Sequence, residues 1–182
     1  MELQETPGGQ VAPDPGSDYL ITIQVEPRYE EKLDADRLHR LAIDVLRAER
    51  VPGPLELGVV ITTDEEVRTL NRDYLGHDYD TDVLSFGMQD APEMPGPKPG
   101  SQHPKFVTPS DRPAYLGDIA ISYERAAEQG PEFGQSAAAE VATLLIHGIL
   151  HLLGYDDTAD KDREQMHARQ REMLVSLFDP EK

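Results

Sequence analysis

The sequence predicts a single α+β domain, a small mixed sheet of about four strands packed with helices, with a metal site on a helix of the C-terminal half. Three observations predict it. Strand-type alternation and apolar runs fall in the first two thirds of the chain, and helical periodicity fills the last third. One apolar helical segment there carries two histidines four residues apart.

Residues 1–18 are rich in Gly, Pro and Asp and lack periodicity, which reads as a disordered tail ahead of a domain at 19–178. From Tyr19 a strand begins, with Ile21, Ile23 and Val25 alternating with Thr22 and Gln24. A helix follows over 34–49, where Leu38, Leu41, Ala42, Val45 and Leu46 recur at helical spacing. Val51-Pro52-Gly53-Pro54 ends it. Residues 55–61 are nearly all apolar after Glu56, the pattern of an interior strand. Thr63-Asp64-Glu65-Glu66 has capping-box form, opening a helix to about Tyr74.

Further strands are expected at 82–86 and 116–122. Between them, 88–115 holds seven prolines and reads as a long loop insertion. Three helices, at about 123–129, 137–153 and 160–178, close the domain.

At 182 residues, 38% hydrophobic and 29% charged, the chain suits one core without covalent staples. It has no cysteine, which excludes disulfides, thiolate metal sites and thiol catalysis. A metal must therefore be held by His, Asp or Glu. No apolar run is long enough to cross a bilayer and the first residues lack a signal core, so no membrane is expected and a cytoplasmic location is the default. The net charge of −18 argues against a broad basic face for nucleic acid, but leaves a local contact open because distant charge is screened.

The chemistry concentrates in HGILHLLGYDD, residues 147–157. His147 and His151 lie one helical turn apart on one face, a spacing that lets two imidazoles converge on one ion. Their neighbours Leu144, Leu145, Ile146, Ile149, Leu150, Leu152 and Leu153 are apolar, and an unpaired buried polar group costs roughly 1–3 kcal/mol. Gly154 ends the helix, and Asp156 or Asp157 can swing back to supply a third ligand. Two imidazoles and one carboxylate suit one zinc-type divalent ion and leave a fourth position for water.

Other roles are open to the same residues. The two histidines could bond to backbone or to Glu140. One of Asp156, Asp157, Thr158 and Asp160 is expected to cap the last helix. His39 and His167 read as surface imidazoles, and His103 falls in the proline-rich loop.

HGILHLLGYDD resembles the signature of the YbeY endoribonucleases, also called ribosomal RNA maturation factors. Residues 71–86, ending in Thr81-Asp82-Val83-Leu84-Ser85-Phe86, resemble that family's central motif, and Leu116-Gly117-Asp118-Ile119-Ala120-Ile121-Ser122 its next strand. The resemblance spans about 19–178. It implies an α+β fold and a zinc-type ion on His147, His151 and Asp157. It also implies hydrolysis of RNA phosphodiesters, directed at single strands, in ribosomal RNA processing and ribosome quality control, with ribosomal proteins nearby and no DNA substrate.

Two positions depart from the family pattern. Asp157 stands where a third histidine is commoner, which should make the ion a weaker Lewis acid. Leu75 stands where an arginine is usual, leaving Arg72 or His77 as candidate phosphate contacts. Two rival functions are a metallopeptidase and a ribosome-assembly binding protein with a structural metal. The first is opposed by Gly148, which stands where HExxH peptidases carry their glutamate base. Asp82 and Asp118 are candidate bases, with neither chosen.

Overall fold

The alternation at residues 19–25 places every second side chain on one side of the sheet, and the structure buries that side. The computed structural model describes residues 9–11, 18–87 and 113–178. Strands β1 (Gly9–Val11), β2 (Tyr19–Val25), β3 (Leu55–Thr62), β4 (Val83–Gly87) and β5 (Ala114–Ser122) form one sheet in the order β1-β2-β3-β5-β4. β2, β3 and β5 run parallel, while β1 and β4 are antiparallel edges. The central place of β3 accounts for its apolar run.

The expected small mixed sheet is present, and two boundaries differ. A fifth, edge strand joins the four expected ones, because Gly9–Val11 pairs with Ile23–Val25 inside the stretch read as a tail. A three-residue strand held by backbone pairing needs no side-chain periodicity. The proline-rich insertion ends earlier than its expected limit, since β5 begins at Ala114; residues 88–112 lie outside those described.

Helices α1 (Ala35–Ala48), α3 (Tyr123–Glu132), α4 (Ala137–Leu152) and α5 (Asp160–Leu177) pack on one side of the sheet. Ile21, Ile23, Leu57, Ile61, Ile119 and Ile121 meet Leu46, Leu145, Ile146, Ile149 and Leu150 there in the main core. Burying each such side chain contributes about 1.5–3 kcal/mol. Helix α2 (Asp64–Leu75) is the helix on the other side, where Val67 and Leu70 meet Val60, Leu84, Ala120 and Phe86. That side is only partly covered. A groove of about 660 Å³ remains over β2, β3 and β5.

The helix starts are chemically specified. Asp34, Thr63, Ser122 and Ser136 each accept a backbone N–H from the first turn of α1, α2, α3 and α4. The capping box of α2 is only half formed, because the Glu66 carboxylate accepts from the Thr62 hydroxyl. A short 3-10 helix, Pro27–Lys32, was not expected between β2 and α1. His39 is buried rather than at the surface, since α1 is covered by α4 and α5 as well as by the sheet. No single helix among the described residues is long and apolar enough to cross a membrane.

Candidate metal centre

Helix α4 buries its Leu144-Leu145-Ile146 and Ile149-Leu150 side chains and presents His147 and His151 to a cavity of about 690 Å³. The face between the histidines lies against the sheet. A Cβ on Gly148 would stand 2.9 Å from Ile119 Cγ2 and 3.2 Å from Ser85 Oγ. Any larger side chain there would meet Ile119 and Ser85 and push helix from sheet. The glutamate of a peptidase site therefore has no room at this position.

The two imidazoles are held in matching states. Nδ1 of His147 donates to Oε1 of Gln170 at 2.9 Å, and Nδ1 of His151 donates to the backbone oxygen of Tyr155 at 3.1 Å. In a neutral imidazole only one nitrogen carries a proton. In two neutral rings so bonded, each Nε2 presents a lone pair, and the two Nε2 atoms face each other at 3.0 Å. Oδ2 of Asp157 lies 3.5 Å from Nε2 of His151, and ligand atoms of all three residues lie within 4.8 Å of one another.

A cation between them resolves this arrangement. Ligands about 2.05 Å from a tetrahedral zinc-type ion lie about 3.3 Å apart, between the two short separations found here. Burial, reinforced by the neighbouring His151, pushes His147 below the ordinary imidazole range, against the opposing pull of Gln170, Asp157 and Asp82. The ring that must be neutral to bind a metal is thereby kept neutral.

Asp157 is free for this role. The N-cap of α5 is Ala159, which has no side-chain cap, so none of the four expected cap residues takes that place. Asp156 instead accepts from the amide and hydroxyl of Thr158, at 2.9 and 2.8 Å, and closes the turn. These bonds hold the Asp156 carboxyl below its ordinary range. Gly154, at φ 95°, sets the turn that brings Asp157 back to the helix.

The turn is braced from outside. Glu49, at the end of α1, accepts from the Tyr155 hydroxyl at 2.9 Å and from Arg169 Nε at 2.7 Å. One carboxylate thus ties the carbonyl that orients His151 to the helix that carries Gln170. Neither Glu49 nor Gln170 was legible as a site residue, because Gln170 reaches His147, and Glu49 reaches Tyr155, across long sequence separations without a local motif.

The remaining candidates separate by place. Leu75, Tyr79, Thr81, Asp82, Ser85 and Tyr115 line the metal cavity. Arg72 and His77 do not: Arg72 pairs with Asp73 at 2.9 Å, and His77 stacks on Tyr79 outside the cavity. Asp118 lies in the groove on the other side of the sheet, bonded by the Tyr115 hydroxyl. Glu140 is buried and not bonded to either histidine by any contact described above; burial and the Asp82 carboxylate raise its pKa. His167 sits near the centre, its ring 6.3 Å from that of His147, but it falls outside the ligand group.

Fold and site together define a metal-dependent hydrolase type of centre, with three side-chain ligands on one side and a cavity on the other. A structural zinc site is normally closed by four protein ligands. Residues 23–177 match the family model described as endoribonuclease YbeY. The chain belongs to the YbeY family.

Relatives agree with this placement. Endoribonuclease YbeY of Roseiflexus castenholzii is 41% identical over 162 residues, covering 88% of this chain and 94% of the relative. That of Chloroflexus aggregans is 42% identical over 160 residues, covering 86% and 97%. That of Bacillus velezensis is 40% identical over 126 residues, covering 69% and 74%. A solution structure of a Thermotoga maritima protein shares the fold, with a TM-score of 0.55 at 24% identity over 87% of this chain and 89% of that one.

Proposed function

We propose that this chain is a metal-dependent endoribonuclease that hydrolyses phosphodiester bonds of ribosomal RNA in ribosomal RNA maturation and ribosome quality control. The proposed setting is the cytoplasm, with ribosomal proteins as neighbours. The observation that carries the reading is the meeting of three ligand atoms, from His147, His151 and Asp157, at the wall of an open cavity. Two nitrogens and one carboxylate oxygen at tetrahedral spacing favour a zinc-type ion over the harder magnesium or calcium, which prefer oxygen ligands.

When bound, the ion supplies Lewis-acid polarisation of the phosphodiester and activation of a water. The chain's own groups do the rest. Gln170 and Tyr155 hold both rings with Nε2 toward the cavity. Asp82 is the carboxylate lining that cavity besides Asp157, and we assign it as the proton acceptor. Its Oδ1 accepts from the Val83 amide at 2.8 Å, which restrains the carboxylate. Asp118, across the sheet, is excluded from that role by position.

One observation favours a second reading, a ribosome-assembly protein with a structural metal. No Lys or Arg lines the metal cavity among the described residues. The open coordination side favours the enzyme. Zinc-loaded protein incubated with structured ribosomal RNA decides between them, with His147→Ala as control. Cleavage lost in the variant supports the enzyme, and binding without cleavage in both supports the assembly protein.

A further inference from the structure

The metal cavity does not end at its own walls. It shares Leu75, Gly87 and Tyr115 with the groove on the far side of the sheet, so the two form one continuous surface. Six large hydrophobic side chains are exposed among the described residues, and four of them border this surface. Tyr79 is on the metal side, Leu75 and Tyr115 are at the junction, and Tyr74 is beyond it, 73% exposed and tilted against Phe86 at 5.6 Å. Four of the six thus gather around one surface instead of lying scattered singly, as exposed apolar residues at a binding site do.

The charge around it offers phosphates no partner, so a nucleic acid would have to be held here through its bases. No Lys or Arg lines either cavity among the described residues, while Glu56 and Asp118 line the groove. Nearby guanidinium groups are already paired. Arg68 lies 2.8 Å from Asp78, Arg72 2.9 Å from Asp73, and Arg125 2.7 Å from Asp80. Phosphates along this path would meet neutral or acidic groups. Aromatic faces attract nucleobases whatever the backbone charge, and Gln24 and Thr22 in the groove can bond to base edges.

We propose that the groove beyond the metal cavity is a base-stacking subsite, in which Tyr74 and Tyr115 hold unpaired bases of the RNA strand beside the phosphodiester at the metal centre. This rests on the endoribonuclease reading and adds to it the means by which an acidic protein grips a polyanion. The strand must be single there, because bases in a duplex have no free face for a tyrosine. The grip is consequently tolerant of sequence and weakly dependent on salt.

The test uses the full-length metal-loaded protein and a 2′-O-methyl single-stranded oligoribonucleotide carrying 2-aminopurine, whose fluorescence is quenched on stacking. Cleavage of unmodified RNA is measured in parallel. Tyr74→Ala and Tyr115→Ala should each weaken binding about tenfold and reduce the quenching. They should raise KM more than they lower kcat and keep the metal. Tyr74→Phe should restore parental binding, since the ring rather than the hydroxyl is required. Unchanged binding and quenching in both alanine variants, with RNA still cleaved, would overturn the subsite alone. A parent that neither binds nor cleaves RNA would overturn the subsite together with the endoribonuclease reading. If Tyr74→Ala instead alters the sedimentation of the protein and leaves RNA binding intact, the patch joins protein to protein and the subsite is wrong.

Discussion

Nε2 of His147 lies 3.0 Å from Nε2 of His151, and each ring donates from Nδ1 on its opposite side. In neutral rings the two Nε2 lone pairs would repel at that distance unless a cation lies between them. The site is thus built for an ion by the partners of Nδ1 as much as by the helical spacing of the histidines.

Gln170 is the partner whose removal should show this. Gln170→Leu takes away the acceptor at His147 Nδ1 and lets the ring choose the other tautomer. Metal affinity, measured by competition with a chromophoric chelator, should fall about 10–100-fold. Thermal stability should change little, because Gln170 is only half-buried. Parental affinity in this variant would mean that the ring is fixed by packing alone.

Asp157 makes a separable prediction. Asp157→Asn should weaken metal binding while circular dichroism shows α5 intact, because the helix begins at Ala159 without a side-chain cap. Asp157→His should keep the metal, since imidazole is an equivalent zinc ligand. Parental affinity in Asp157→Asn would show that the third ligand lies elsewhere.

Much of this was legible beforehand. The strand at 19–25, the helices starting after Asp34 and Thr63, and the paired histidines follow local rules of period and capping. What was not legible depends on partners distant in sequence. Gly9–Val11 is a strand because β2 offers it an edge, and His39 is buried because α4, α5 and the sheet cover α1. The start of α5 could not be chosen among four good cap residues, and the chain uses none of them. Asp156 serves the turn, and Asp157 points to the histidines. Arg72 and His77 had suitable chemistry, but their side chains lie outside the cavity.

Glu140 predicts a pH dependence. Burial, and secondarily the Asp82 carboxylate, raise its pKa in the folded protein above the ordinary glutamate value. A raised carboxyl pKa contributes stability that is fully present below the unfolded value and is lost as pH rises through the folded one. Glu140→Gln removes that loss. In chelator, so that metal release does not contribute, the Tm of the variant relative to the parent should climb from pH 4 toward neutrality. A difference independent of pH would contradict the assignment.

Leu75 ends α2 at the junction of the cavity and the groove, where no cation stands among the described residues. Leu75→Arg should tighten RNA binding and steepen its salt dependence by about 0.7 in log–log slope for each phosphate engaged. A salt titration of parent and variant reads this directly. A steep slope already present in the parent would reveal a basic surface elsewhere, and unchanged affinity in the variant would detach position 75 from the RNA path.

The most direct test of the central claim joins metal content to catalysis in one preparation. Parent, His147→Ala and His151→Ala proteins are purified alike, assayed for bound metal by mass spectrometry, and incubated with structured ribosomal RNA. The parent should carry close to one zinc-type ion per chain and cut the RNA, and both variants should lose the ion and the cutting together. RNA cleavage at the parental rate by a variant free of metal would contradict the account, because the activity would then belong to another site.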